Sequence, residues 1–248
     1  MHKYANPTDF MRLANSILPW AAIVTVALFL AGLPMALVVS PPDYQQGDAA
    51  RIMYIHVPSA WMGLMIYGIM AANSAAFLIW RHPMATLIAR ASAPLGCMFT
   101  ALCLITGMLW GKPMWGAYWV WDARLTSMLI LQFLYIGYLA LADAFEDSER
   151  GDKAAAVLAL VGSVNLPIIH FSVNWWNTLH QPSILTMQGF TVSAAMLWPL
   201  FLMVGAFMAY YVCLLVLRLR IEILDAKIRN ARRARAAAPV ATATPQQV

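Results

Sequence analysis

Long apolar runs broken by short polar ones make up most of this 248-residue chain. Six runs stand out, at 17–39, 58–80, 92–110, 125–144, 154–171 and 190–217, and they are almost free of charge. Each meets or approaches the roughly 20 apolar residues a helix needs to cross a bilayer core. Lipid offers no partner to backbone N–H and C=O groups, so runs of this length are predicted to satisfy them internally as helices. The predicted fold is all-α: a polytopic integral membrane protein with six transmembrane helices. The last run exceeds what a bilayer requires and is expected to tilt or project. The first, 23 residues from 17 to 39, is longer than the 7–15 residues of a secretory signal core. It closes on Pro41-Pro42 without a small-x-small cleavage site and is expected to stay as a helix.

The polar connections set the orientation. Placing the N-terminus inside puts Lys3, Arg12, Arg81, Arg90, Arg150, Lys153, Arg218, Arg220, Lys227, Arg229, Arg232, Arg233 and Arg235 on the inner side, 13 of the 16 basic residues. Only Arg51, Lys112 and Arg124 fall outside. Because basic residues concentrate in cytoplasmic loops, both termini are expected to be cytoplasmic, with segments 40–57, 111–124 and 172–189 on the outer face. The expected organisation is a six-helix membrane domain over 1–225, carrying a tryptophan-rich site at 111–126, and a basic cytoplasmic tail over 226–248 that is largely disordered.

Composition narrows the function. Apolar residues are 62% of the chain and charged ones 11%, well below the roughly 25% of a soluble domain. The net charge of +5 is accounted for by topology and gives no support for a nucleic-acid partner. The two inner loops, 81–91 and 145–153, are too short for a nucleotide-binding domain, and no glycine-rich phosphate loop is present. ATP hydrolysis, if the system uses it, belongs to another chain. The acidic residues Asp143, Glu146, Asp147, Glu149 and Asp152 read as a solvated inner loop. Cys97, Cys103 and Cys213 fall in apolar runs, without the C-x-x-C spacing of thiol exchange or covalent haem attachment, and read as small buried residues.

The outer segments carry the unusual chemistry. Residues 115–126 run Trp-Gly-Ala-Tyr-Trp-Val-Trp-Asp-Ala-Arg-Leu-Thr. Seven of the ten tryptophans (61, 110, 115, 119, 121, 175 and 176) lie at or near the outer face, whereas interfacial anchoring populates both faces. A slab of indoles of this kind suits a flat, mostly apolar ligand. His56 and His180 each precede an apolar run, at matched predicted depth. Two neutral imidazoles at one level can fill both axial positions of a haem iron, provided the second and sixth helices are neighbours in space. His170 is the rival to His180; Pro167 is expected to kink its helix. Haem propionates call for fixed cations, and arginine's fork suits a carboxylate, which makes Arg51 and Arg124 the candidates, with Lys112 less specific. A structural pair with Asp122 is the competing reading of Arg124. Asp122 itself is expected to orient Arg124 or a tryptophan N–H.

The run Trp-Gly-x-x-Trp-x-Trp-Asp-x-Arg-Leu-Thr between outer-face histidines resembles the tryptophan-rich signature of haem-handling proteins of cytochrome c biogenesis. Length, six spans and both histidine contexts resemble the haem exporter protein C family, over about residues 10–220. The resemblance implies a non-enzymatic chain of the bacterial inner membrane that binds haem b non-covalently at its periplasmic face. His56 and His180 match the axial ligands, and Trp115, Trp119, Trp121 and Asp122 match the signature that contacts haem and chaperone. It implies as partners a periplasmic haem chaperone, ATP-binding-cassette transporter subunits and a small membrane subunit. Two rival readings are a b-type electron-transfer cytochrome, which holds its haem deep between helices, and a haem or small-solute permease, which needs polar or broken helices at the midplane. Here the midplane candidates are only Asn73, Thr100, Thr106, Gln132 and Asn165, none charged.

Overall fold

The computed structural model describes residues 7–181, 185–186 and 189–237. Among the described residues seven α-helices carry the fold: α1 (Pro7–Pro34), α2 (Met53–Trp80), α3 (Pro83–Trp115), α4 (Ala123–Asp143), α5 (Ser148–Gly162), α6 (Asn165–Trp175) and α7 (Ala194–Ala237). Six stretches of the described residues are long and apolar enough to cross a membrane: Asp9–Val39, Asp48–Trp80, Met84–Trp115, Ala123–Asp143, Ser148–Trp175 and Ala194–Arg232. The chain is therefore a multi-pass membrane protein. Most of these stretches outrun the apolar run that predicted them, because caps, not hydropathy, end the helices. His82 precedes α3 and Pro83 opens it, where a missing N–H costs nothing. Gly116, at φ 75°, closes α3 in the left-handed region a side chain disfavours. Asp122 and Asp147 cap the N-termini of α4 and α5 by accepting from Leu125 N–H and Glu149 N–H.

The fifth crossing is broken. α5 ends at Gly162 and α6 begins at Asn165, so the interruption falls just before Pro167, whose absent N–H leaves the helix one bond short. The first crossing ends in a π-helical turn, Met35–Val39, closed by Ser40 N–H donating to Met35 C=O at 2.8 Å. The only sheet pairing among the described residues is a two-residue antiparallel ladder, β1 (Leu185–Thr186) with β2 (Gly189–Phe190), in the connection before α7.

α2 and α3 form the central antiparallel pair. α1 packs along α7 on one flank, and α4 with α5 and α6 covers the other. The core between them is aromatic as well as aliphatic: Tyr54, Tyr67, Tyr135, Tyr138, Phe99, Ile66 and Met203 are fully buried. Tyr135 shows how tight the fit is. Its ring lies where a Cβ on Gly96 would stand, 2.2 Å from the phenol oxygen, and its hydroxyl donates to Gly63 C=O at 2.7 Å.

At the end of the bundle remote from the tryptophan run, the acidic cluster is more than a solvated loop. Arg90 on α3 donates to Asp152 on α5 at 2.5 Å, to Asp143 at the end of α4 at 3.0 Å, and to Ala142 C=O at 2.7 Å. Arg90 and Asp152 side chains are each only 15% exposed. Glu149 pairs with Arg81 and Lys153. The cluster thus clamps three helix ends together, a role invisible without knowing which helices meet. The expected tail also differs in part: α7 continues as helix to Ala237, and residues 238–248 lie outside the described residues.

Candidate functional site: two histidines at one rim of the bundle

His56 does not stand ahead of its helix as expected. A 3-10 turn, Asp48–Ile52, leads directly into α2, and His56 lies in the first turn of that helix. Its ring reaches across to α3. His56 Nδ1 lies 3.0 Å from Cys103 C=O and 3.1 Å from Thr106 Oγ1. A carbonyl only accepts, and Thr106 directs its own hydroxyl proton to Leu102 C=O at 2.7 Å. Nδ1 is therefore the protonated nitrogen, and the lone pair is left on Nε2. Gly107 makes room for the ring: a Cβ there would come within 3.0 Å of His56 Cε1. The indole of Trp110 meets the imidazole edge-on, centroids 5.6 Å apart, and is itself fixed by donating Nε1–H to Gln46 at 2.9 Å. Gln46 sits in a small loop closed by the Asp43–Gly47 bridge and by Asp43 accepting from Gln45 and Gln46 N–H at 2.9 Å each.

His180 lies on the connection between α6 and α7. The two imidazole centroids are 6.3 Å apart with the rings inclined by 36°. His180 Nδ1 lies 2.8 Å from Gln181 C=O, which fixes the same tautomer and leaves Nε2 with its lone pair. Burial and, second, the nearby Arg124 charge hold the His180 pKa below its ordinary value, against opposing contributions from the Gln181 carbonyl and Asp122. The ring is neutral at pH 7, the form that can ligate a metal.

The remaining expected residues are distributed unevenly. Among the described residues Asp122 makes no hydrogen bond or ion pair with Arg124 or a tryptophan N–H, and acts on Arg124 only by its charge. One carboxylate oxygen caps α4 through Leu125 N–H at 2.8 Å and the other accepts from the Thr178 hydroxyl. Arg124 spans to α6, donating to Ile169 C=O and lying 3.4 Å from both His170 C=O and Ser172 Oγ. Arg51 donates to Leu37 C=O and pairs with Asp48 at 3.2 Å, tying the end of the first crossing to the start of the second. No contact among the described residues joins it to either histidine. Trp115 ends α3 with its ring over Gly111. Trp119 and Trp121 meet edge-on at 5.4 Å, and Trp121 is 75% exposed. Lys112 is held by Gly116 C=O and the Tyr118 ring.

His170 goes elsewhere. It stacks edge-on with Phe171 at 4.7 Å and lines a groove of about 370 Å³ with Leu64, Met65, Leu166 and Pro167. It has no described contact with His56 or His180. His2 lies outside the described residues. Trp198, in the second turn of α7, adds another indole at this end. The residues that sequence reasoning did not assign to the site, Cys103, Thr106, Gly107, Gln46 and Thr178, act through a backbone carbonyl, a hydroxyl, a side-chain amide oxygen or empty space. The one available signal was Thr106, a polar residue one turn before Trp110 within the otherwise apolar stretch 101–111 of α3.

Fold and site together define a multi-pass membrane protein with paired, tautomer-fixed imidazoles and an aromatic wall at one rim of the bundle. The sequence profile of the family described as "Heme exporter protein C" matches residues 1–234, further along the chain than the residues that carried the resemblance. Proteins named "Heme exporter protein C" are similar over nearly the whole chain. The one from Bradyrhizobium diazoefficiens is 51% identical over 227 residues, 91% of this chain and 86% of the relative. That from Haemophilus influenzae is 47% identical over 230 residues, 92% and 94% of the two chains. That from Escherichia coli K12 is 45% identical over 220 residues, 89% of each. The chain belongs to the heme exporter protein C family.

Proposed function

We propose that this protein takes part in haem export for cytochrome c biogenesis, holding haem b non-covalently between His56 and His180 at the periplasmic face of the bacterial inner membrane. The observation that carries the reading is the imidazole pair. Two rings sharing one iron through nitrogen bonds of about 2 Å would have centroids roughly 6 Å apart, close to the 6.3 Å here. Each ring already spends its Nδ1–H on a carbonyl, the usual way a ligating histidine is oriented. Two further donors fit a ligand with carboxylates: Trp119 Nε1 and Arg51 Nε are buried with no partner among the described residues. Arg124, close enough to act on His180 by charge, supplies a further cation for a propionate.

His56 and His180 would hold the haem through its iron, which would supply the ligand-binding chemistry; the rest is positioning by this chain. Trp110 fixes the His56 edge, and the exposed Trp121 with its neighbours offers apolar surface to ligand and partner. The cargo meets the solvent-facing rim, where a periplasmic haem chaperone can take it. In this reading the chain is a delivery component and no residue makes or breaks a bond. ATP-binding-cassette subunits and a small membrane subunit complete the complex. The rim position of both histidines favours presentation over a b-type cytochrome.

Optical spectra of the haem-loaded protein test the reading. Wild type should give a low-spin bis-histidine spectrum that His56→Ala and His180→Ala each weaken strongly and His170→Ala leaves intact. Unchanged spectra in both of the first two variants would remove it.

A further inference from the structure

The tryptophan run and His180 belong to segments more than fifty residues apart, yet one side chain joins them. Thr178 Oγ1 donates its proton to Asp122 and accepts the backbone N–H of His180 at 3.0 Å. The hydroxyl is thus engaged both as donor and as acceptor, with its direction fixed by an acceptor-only carboxylate. Asp122 is in turn immobilised by capping α4, and Arg124, two residues on, binds α6 carbonyls just ahead of the His180 connection. The segment after α6 has no regular structure of its own from Asn177 to Gln181. Its hydrogen bonds are therefore what holds the His180 backbone in place.

We propose that Asp122 and Thr178 are positioning residues that place His180: the acid of the tryptophan run acts on the haem site through Thr178, by fixing where the His180 main chain lies, and the aromatic loop and one axial ligand consequently move as a unit. This rests on the ligation reading above. It assigns Asp122 a task distinct from touching haem, and it makes Thr178 the residue whose loss should free one ligand and spare the other.

Thr178 variants separate this from a folding defect, since Asp122 also caps a transmembrane helix. Thr178→Val keeps the shape and removes both hydrogen bonds; Thr178→Ser restores them. In the haem-loaded protein Thr178→Val should lose part of the low-spin bis-histidine signature and release haem about tenfold faster, the low end of what removing a hydrogen-bond partner behind a ligand costs. Thr178→Ser should return both to near wild type. In the haem-free protein, amide hydrogen exchange at 178–181 should accelerate in Thr178→Val while 103–107 stays unchanged. If His180→Ala abolishes the signature but Thr178→Val keeps the wild-type spectrum, release rate and exchange, the positioning role is wrong and the ligation reading stands. If His180→Ala leaves the spectrum untouched, the ligation reading falls and the role at the haem site with it.

Discussion

His56 rides in the first turn of a 28-residue helix, and its ring is pinned by a carbonyl, a hydroxyl and an indole on α3. His180 hangs on an irregular connection, held by the adjacent Gln181 carbonyl and, through Thr178, by Asp122. The first imidazole is carried by a transmembrane helix and packed against α3, so moving it means moving a helix. The second is held by a few hydrogen bonds at the rim, each worth about 1 kcal/mol net. Under the proposed function this division would serve a site that holds a cargo and then gives it up: the fixed imidazole would set the position and the lightly held one the release.

The comparison can be broken most severely on the His56 side. Gly107→Val puts a branched side chain where a Cβ alone would stand 3.0 Å from the imidazole. It should cut haem affinity by about 10–100-fold, the range for disturbing a ligand's support, measured by haem titration of the purified protein. Wild-type affinity would mean that the α2–α3 packing does not fix this ring. A smaller effect is expected from Thr106→Val, which removes one of two acceptors of His56 Nδ1–H and leaves Cys103 C=O. Loss of one such bond, about 1 kcal/mol, should weaken haem binding roughly fivefold with the bis-histidine spectrum retained. Gln46→Leu acts one step further out, freeing the Trp110 N–H, and should cost at most a few-fold; a larger loss would place the outer loop in the site itself.

The mildest test is pH. The folded His180 pKa lies below its unfolded value, so its neutral form favours folding above the unfolded pKa of about 6.5. That contribution is lost as pH falls through the folded pKa. The haem-free protein should therefore lose stability as the pH drops below about 6.5, and His180→Gln should lessen the dependence. The bis-histidine spectrum should hold between pH 8 and 6.5. An imidazole that let go of haem near neutrality would contradict a depressed pKa.

Much of this could be read along the chain because membrane folding is severe about composition. Six apolar runs gave six crossings, and Pro167 marked the break in the fifth. The tryptophan run, His56 and His180 stood out for their residue types alone. Three things did not stand out. The 3-10 turn that carries His56 into its helix follows from Gly47 at φ 56° and the small loop behind it, which periodicity does not register. The carbonyl of Cys103 and the empty space at Gly107 have no side-chain chemistry to notice. Arg124 and Asp122, two apart in sequence, look like partners, but the N-cap geometry sends the acid to Thr178 and the base to α6.

The amino-acid sequence by itself therefore determined the class of fold and which side chains could ligate or stack, not what positions them. Burial in lipid leaves a long apolar run only the helix, and few residue types can ligate iron or stack on a flat ring. The tertiary structure alone decided which histidine faces His56. His170 and His180 are ten residues apart and chemically alike, and only the break between α5 and α6, the capping of α4 and the path of the connection to α7 bring one to the rim site and leave the other beside Phe171.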